Sequence, residues 1–366
     1  MTETTAAPKT RTPFWDNARF AAIILVVAGH AIQRLTYDSD AAYAVYLAIY
    51  AFHMPAFAIM AGYFSKSGAP TSRQMARVLT DIVIPYVIFE SLWSLLSWAI
   101  DGDPGIDLTQ PSWTLWFLLA LAIFRVALPY LALLRWPLLW TVAISVGAGY
   151  LTHVDATFSL SRALGLLPFF TLGWWLREHD IVARHRLLRP RPWPVVVSAA
   201  AILAGAIAGA WLFSDTWRQV GLGTWMFYRD DYSSLGVAAW WAGGVRLLLI
   251  VVALVLSAAF FVLIPRGQKR WTTLGQYTMY VYLLHTFVLY PFRETDVLRD
   301  ARPDWIWLPL VLLASVGIAV LLSSAPVRRI FRPLVEPRPA WLFADPTLAG
   351  REGRGVDPTG ARRPGR

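Results

Sequence analysis

The sequence predicts an all-α integral membrane protein of about ten transmembrane helices with both termini cytoplasmic, and three observations carry that expectation. Of 366 residues, 57% are hydrophobic and only 15% charged, with a mean hydropathy of +0.48; a soluble domain is roughly 45–50% apolar and about 25% charged. The apolar residues fall in long runs near the ~20 residues that one bilayer crossing needs. Thirdly, 33 Lys and Arg stand against 23 Asp and Glu, a net charge of +10, and in a polytopic protein such an excess gathers in cytoplasmic loops. A nucleic-acid partner is therefore not expected; the lipid bilayer of the plasma (cytoplasmic) membrane is. There is no cysteine, so thiolate nucleophiles and disulfide frameworks are excluded and any chemistry falls to His, carboxylates, hydroxyls or Arg.

Taken in order, the expected spans lie near residues 18 to 35, 41 to 64, 78 to 100, 113 to 134, 138 to 151, 160 to 177, 193 to 213, 237 to 264, 271 to 291 and 305 to 325. The fifth is short and bears Gly147 and Gly149, which reads as tilted, re-entrant or buried among its neighbours. With ten alternating crossings, twenty-three Lys and Arg fall on inner segments and five on outer loops, which sets the expected orientation. Lys9 and Arg11 before an apolar stretch resemble a signal peptide, but Arg19, His30 and Arg34 inside that stretch argue against cleavage. Residues 1–12 and 344–366 are rich in Pro, Gly, Thr and Arg and read as disordered tails flanking one transmembrane domain, 13–343.

Charge within a span is expensive and usually paired or functional. The first span carries Asp16, Arg19, His30 and Arg34; Arg19 and His30, 11 residues apart, return to within about 20° of one helix face. His53 lies near the middle of the second span, followed by Met54 and Pro55, a proline that breaks the helical ladder. Two mid-membrane histidines on consecutive spans point to a shared cavity. Arg73 and Arg77, at i,i+4 spacing, project together from a helix entering the third span and suit a phosphate-rich ligand, although positive-inside bias also explains them. Glu90, halfway along the third span, reads as a paired or protonated acid, with Arg125 as its expected partner. His30, His53 and Glu90 would form a metal site only if three helices converged, and no metal is expected. The Trp-rich loop 214 to 235 fits a sugar-stacking surface or an aromatic belt equally well.

The pattern Asp16-x-x-Arg19, ten residues, His30, then Phe52-His53-Met54-Pro55 and Gly62-Tyr63-Phe64 resembles the opening of the membrane-bound acyltransferase family 3. Pro85-Tyr86, Leu115-Trp116-Phe117-Leu118, Pro168-Phe169-Phe170 with Gly173, and Tyr282-Leu283-Leu284-His285 extend the resemblance over residues 14 to about 325. The initial Asp16-Asn17 pair is similar to the fucose 4-O-acetylase-like members. The resemblance implies an O-acyltransferase that uses acyl-CoA, as acetyl-CoA, to modify a hydroxyl of a carbohydrate or similar acceptor. It implies that His30 is the essential histidine and Arg19 the essential arginine, that His53 is a second functional histidine, and that Arg73 and Arg77 meet the acyl-CoA. Glu90 completes the expected catalytic set. Ala61 departs from the Ser that many members place before the Gly of Gly62-Tyr63. Acyl transfer needs a base, and neutral imidazole at His30 fills that role either directly or through an acyl-His intermediate. A transporter or flippase using the same charges is the rival reading, and consumption of acetyl-CoA separates the two.

Overall fold

A computed structural model describes residues 12–102, 105–185, 188–237, 239–294 and 303–349. Its described residues are helical and irregular throughout, with fifteen α-helices: α1 Pro13–Ala31, α2 Asp40–Tyr63, α3 Ser72–Val78, α4 Ile84–Asp101, α5 Trp116–Leu131, α6 Pro137–Ala148, α7 Leu160–Glu178, α8 Ile181–Arg184, α9 Trp193–Leu212, α10 Ser214–Gln219, α11 Leu222–Met226, α12 Ala242–Leu263, α13 Thr278–Glu294, α14 Asp304–Leu322 and α15 Ala325–Val335. The expected N-terminal tail, apart from Thr12, and residues 350–366 of the expected C-terminal tail lie outside the described residues.

The expected count of ten spans is corrected. Among the described residues, five helices are long and apolar enough to cross a membrane: Asp40–Tyr63, Ser72–Ile100, Trp193–Leu212, Ala242–Leu263 and Asp304–Leu322. The other five runs also form helices but fall short for two physical reasons. At 1.5 Å per residue, the 16 residues of α5 and the 12 of α6 reach about 24 and 18 Å against a hydrocarbon core of about 30 Å. α13 has 17 residues and ends in Arg293 and Glu294. The 19-residue α1 and α7 are long enough, but Asp16, Asn17 and Arg19 in one, and Arg162, Arg177 and Glu178 in the other, dilute their hydropathy. The inner-versus-outer charge count, and with it the expected placement of both termini, rested on ten alternating crossings and falls with them. An all-α, multi-pass membrane architecture remains.

Local chemistry explains where the helices begin and bend. Ser39 caps α2 by accepting from the Ala42 N–H at 3.0 Å, and Thr71 with Gln74 forms a reciprocal capping box on α3. α3 and α4 are joined by a π-helical turn, Leu79–Val83, and α4 stops at Gly102, whose φ of +74° suits glycine. α9 exposes Val195, Val197, Ile202 and Ile207 along its length, with Trp193 and Trp211 near its ends, the pattern of a lipid-facing helix with interfacial aromatics. α2, by contrast, packs against α1, α7, α9 and α12 and is the central pillar.

Two close contacts fix that pillar. A Cβ on Gly62 would lie 1.8 Å from the Phe170 carbonyl oxygen, and one on Gly173 would lie 1.9 Å from that of Ile59, so α2 and α7 touch backbone to backbone. The start of α1 is bolted separately: Asn17, fully buried, donates from Nδ2 to the carbonyls of Pro265 (2.8 Å) and Gly267 (3.0 Å) and accepts from Thr272 Oγ1 (2.7 Å). Gly62→Ala or Gly173→Ala must push two backbones apart, which is expected to cost about 1–3 kcal/mol or more. The measurable result is loss of monodisperse protein or a sharply lowered thermal midpoint, while Gly205→Ala, whose Cβ meets open space, changes neither.

Candidate functional site

A cavity of about 530 Å³ opens between the C-terminal end of α1, the middle of α2, the loop before α5, the start of α7, residues 224–230 and α13. His30 and His53 both line it, so the structure brings the two expected histidines to one space. His53 is buried, and its Nδ1–H donates to the Ile49 carbonyl at 2.8 Å, one turn back on its own helix, which leaves Nε2 as the ring's acceptor. Tyr50 stands between the two imidazoles, 4.9 Å from His53 and 6.2 Å from His30 by ring centroids.

His30 has a partner that the sequence reading did not assign. Its Nδ1 lies 3.1 Å from Nε2 of the fully buried His285, 255 residues away, and the two rings stack at 5.2 Å. The proton positions follow by elimination. His285 Nδ1 faces two carbonyls, Val281 at 2.9 Å and Tyr282 at 2.8 Å, and carbonyls only accept, so this nitrogen holds the hydrogen. Neutral His285 then offers a lone pair at Nε2, the His30 Nδ1–H donates to it, and His30 Nε2 is left unprotonated. Tyr282 and His285, at i,i+3 on α13, share a face; the Tyr282 hydroxyl donates to the Thr114 carbonyl and ties α13 to the cavity's loop wall. The Tyr282-Leu283-Leu284-His285 segment was the signal in the sequence, without a partner to give it a role.

The remaining expected residues divide. Glu90 is buried but does not line the cavity. It accepts from the Ser112 backbone N–H at 2.8 Å and from the Ser112 hydroxyl, so it holds the loop carrying Trp113 (φ +41°) and Thr114. Arg125 is not its partner: the charged neighbours of Arg125 are Asp81 and Arg77. Arg19 sits near the other end of α1, 3.4 Å from Asp16 Oδ1 and 4.4 Å above the Phe64 ring. Since α1 is continuous from Pro13 to Ala31, Arg19 and His30 are separated by about 16 Å of helix. Arg73 and Arg77 lie together on α3 and are not part of the cavity wall.

The loop wall is braced from behind. Tyr228 lines the cavity at φ +54°, fits against Gly165 of α7, where a Cβ would meet it at 2.6 Å, and has Arg246 of α12 stacked 4.6 Å from its ring. The turn that follows is pinned by Asp231, whose carboxylate accepts from the hydroxyls and N–H groups of Ser233 and Ser234; those donors pull its pKa down to about 2. Among the described residues, no three His, Asp or Glu side chains converge as a metal's ligand set.

An acyltransferase-domain family matches residues 12–324, most of the chain and every wall of this cavity. The chain belongs to this acyltransferase family. A relative, described as nodulation protein NolL from Mesorhizobium japonicum (strain LMG 29417 / CECT 9101 / MAFF 303099), is 23% identical over 341 residues, covering 87% of each chain. No solved structure matches.

Removing the acceptor oxygens that hold Ser112 is expected to cost about 1 kcal/mol or more, because the part-buried Ser112 N–H and hydroxyl lose a buried carboxylate acceptor. Glu90→Ala should therefore lower the thermal midpoint clearly and Glu90→Gln, which keeps one acceptor oxygen, by less. Midpoints equal to that of the parent protein for both would show that Glu90 does not hold the loop.

Proposed function

We propose that this membrane acyltransferase-family protein moves an acetyl group from cytoplasmic acetyl-CoA to a hydroxyl of a carbohydrate-like acceptor in the plasma membrane, with His30 as the base. The observation that supports this most directly is the proton arrangement of the His30–His285 pair, which leaves Nε2 unprotonated on a residue that lines a cavity large enough for a sugar unit. His30 Nε2 takes the acceptor hydroxyl's proton as its oxygen attacks the thioester carbonyl. The tetrahedral intermediate collapses by breaking the C–S bond, and the departing thiolate takes the proton back from His30. While His30 carries that extra proton, its Nδ1–H···Nε2 bond to His285 strengthens, so the partner both orients the base and stabilises its charged form, as the third member of a catalytic triad does.

In the same reading Arg73 and Arg77 hold donor phosphates through charge-assisted hydrogen bonds, and Arg19 anchors the donor near the first turns of α1 while the pantetheine arm reaches His30. The surrounding aromatic rings, Tyr50, Trp113 and Tyr228 among them, supply stacking faces for a saccharide. His53, with its own free Nε2, is positioned to hydrogen-bond the acceptor.

With purified protein, acetyl-CoA and candidate acceptors, His30→Ala should lower kcat by about 10²–10⁴, the range of a general base, while still binding CoA. His285→Ala should reduce kcat and move the acid limb of its pH profile, an effect that loss of packing alone does not produce. Full turnover in His30→Ala would refute the assignment.

Replacing both Arg73 and Arg77 by Gln should raise the donor KM roughly tenfold or more and flatten its salt dependence, leaving kcat largely intact. An unchanged donor KM would remove these residues from the donor site.

A further inference from the structure

The first turn of α7 has features that the proposed reaction does not use. Ser159, directly before the helix, lines the cavity and is only 1% exposed, yet its hydroxyl has no hydrogen-bond partner among the described residues. The Ser161 hydroxyl is also buried and unpartnered, and no side chain caps this 19-residue helix. Arg162, the next residue, projects its guanidinium over Trp116 at 4.8 Å and makes no hydrogen bond or close ion pair with any described residue, its Nε being buried and its nearby charges, Asp230 and Arg229, opposing each other. Buried polar groups left in this state are costly unless something else satisfies them. The cavity wall as a whole carries Arg162, Arg229 and Arg293 against a single carboxylate, Asp230, which lies 3.9 Å from Arg229.

We infer that the start of α7 is an anion site, with Ser159 and Arg162 binding a carboxylate or phosphate carried by the acceptor, so that the substrate is an acidic sugar unit rather than a neutral one. The helix N-terminus supplies a positive dipole end, Arg162 a charge-assisted pair, and Ser159 a hydroxyl donor, while the aromatic wall covers the sugar face. A neutral sugar would leave the guanidinium and the buried hydroxyl unmet. The donor's phosphates are the other source of such an anion. Within the proposed reading those phosphates belong elsewhere: α2 ends beside Arg19, which lies over Phe64, and α3 with Arg73 and Arg77 follows it in the chain, whereas Ser159 and Arg162 line the cavity with His30. The inference rests on the cavity being the acceptor site, and its test is a binding measurement that needs no turnover.

The full chain in detergent is titrated with sodium glucuronate, glucose 6-phosphate and glucose at matched ionic strength, reading the thermal midpoint. The two anionic sugars should raise the midpoint and glucose should not. Arg162→Gln should weaken their apparent affinity roughly tenfold or more, and the Arg73/Arg77 double Gln variant should respond like the parent. Should Arg162→Gln fail to give monodisperse protein, Arg162→Lys keeps the charge but not the fork and should bind more weakly than the parent, with the same preference for anions. Equal response to glucose, or loss of the response in the Arg73/Arg77 variant but not in Arg162→Gln, overturns the site. In turnover with an acidic acceptor, Arg162→Gln should raise acceptor KM with kcat little changed. A fall in kcat at unchanged KM would place Arg162 on the reacting carbonyl instead and also overturns it. Anion binding that depends on Arg162, in a protein that consumes no acetyl-CoA, would uphold the site while refuting the acyl-transfer reading.

Discussion

The rest of the structure depends on one backbone-to-backbone contact. Where Gly62 meets Phe170 and Gly173 meets Ile59, α2 and α7 approach as closely as two helices can. Within a bilayer no hydrophobic effect drives two apolar helices together, so small residues that let backbones touch carry much of the association. The contact lies about one turn beyond Pro55 and Leu166, the deepest cavity-lining positions on the two helices. It fixes how closely α2 and α7 approach just beyond the cavity, so the spacing of the helices that carry His53 and Arg162 to its wall follows from residues that have no side chains.

Where the two histidines meet, the arrangement is built from neutral groups. A charged residue in the low-dielectric interior needs a partner, whereas two neutral imidazoles need only matched donors and acceptors, and two carbonyls of α13 are enough to settle the whole chain of protons. In the proposed reaction this arrangement would hold a base ready without a buried carboxylate behind it. The acid that does lie nearby, Glu90, acts on the loop backbone instead.

Much of this was legible in the sequence where the signal is local. The i,i+11 spacing of Arg19 and His30 implied one continuous helix face with two separated ends, and α1 has that form. His53 in mid-span beside Pro55 pointed to a cavity shared with His30, and both histidines line it, although α2 runs unbroken through the proline. What could not be read depended on contacts distant in sequence. His285 is adjacent to His30 only because α13 folds back onto α1. Glu90 was matched with Arg125 by charge alone, yet a carboxylate can be satisfied by a loop N–H and a hydroxyl, which leave no mark in the pattern of charges. The span count failed because apolar runs register composition, not length or the polar positions that a helix turns inward; α1 and α7, counted as lipid-crossing segments, carry the polar groups of the core.

The π-helical turn at Leu79–Val83 has a structural cost built into its residue count. A π turn holds one residue more than the α turn it replaces, so everything after it is rotated by about 100° relative to an uninterrupted helix. Glu90 meets Ser112 in that rotated setting. Deleting one residue from this turn would heal the helix and straighten it, and would at the same time swing the carboxylate away from the loop that carries Trp113. Insertions and deletions in a membrane helix are usually judged by whether its length still matches the bilayer; here the phase of the helix, and not its length, is what a lost residue would damage.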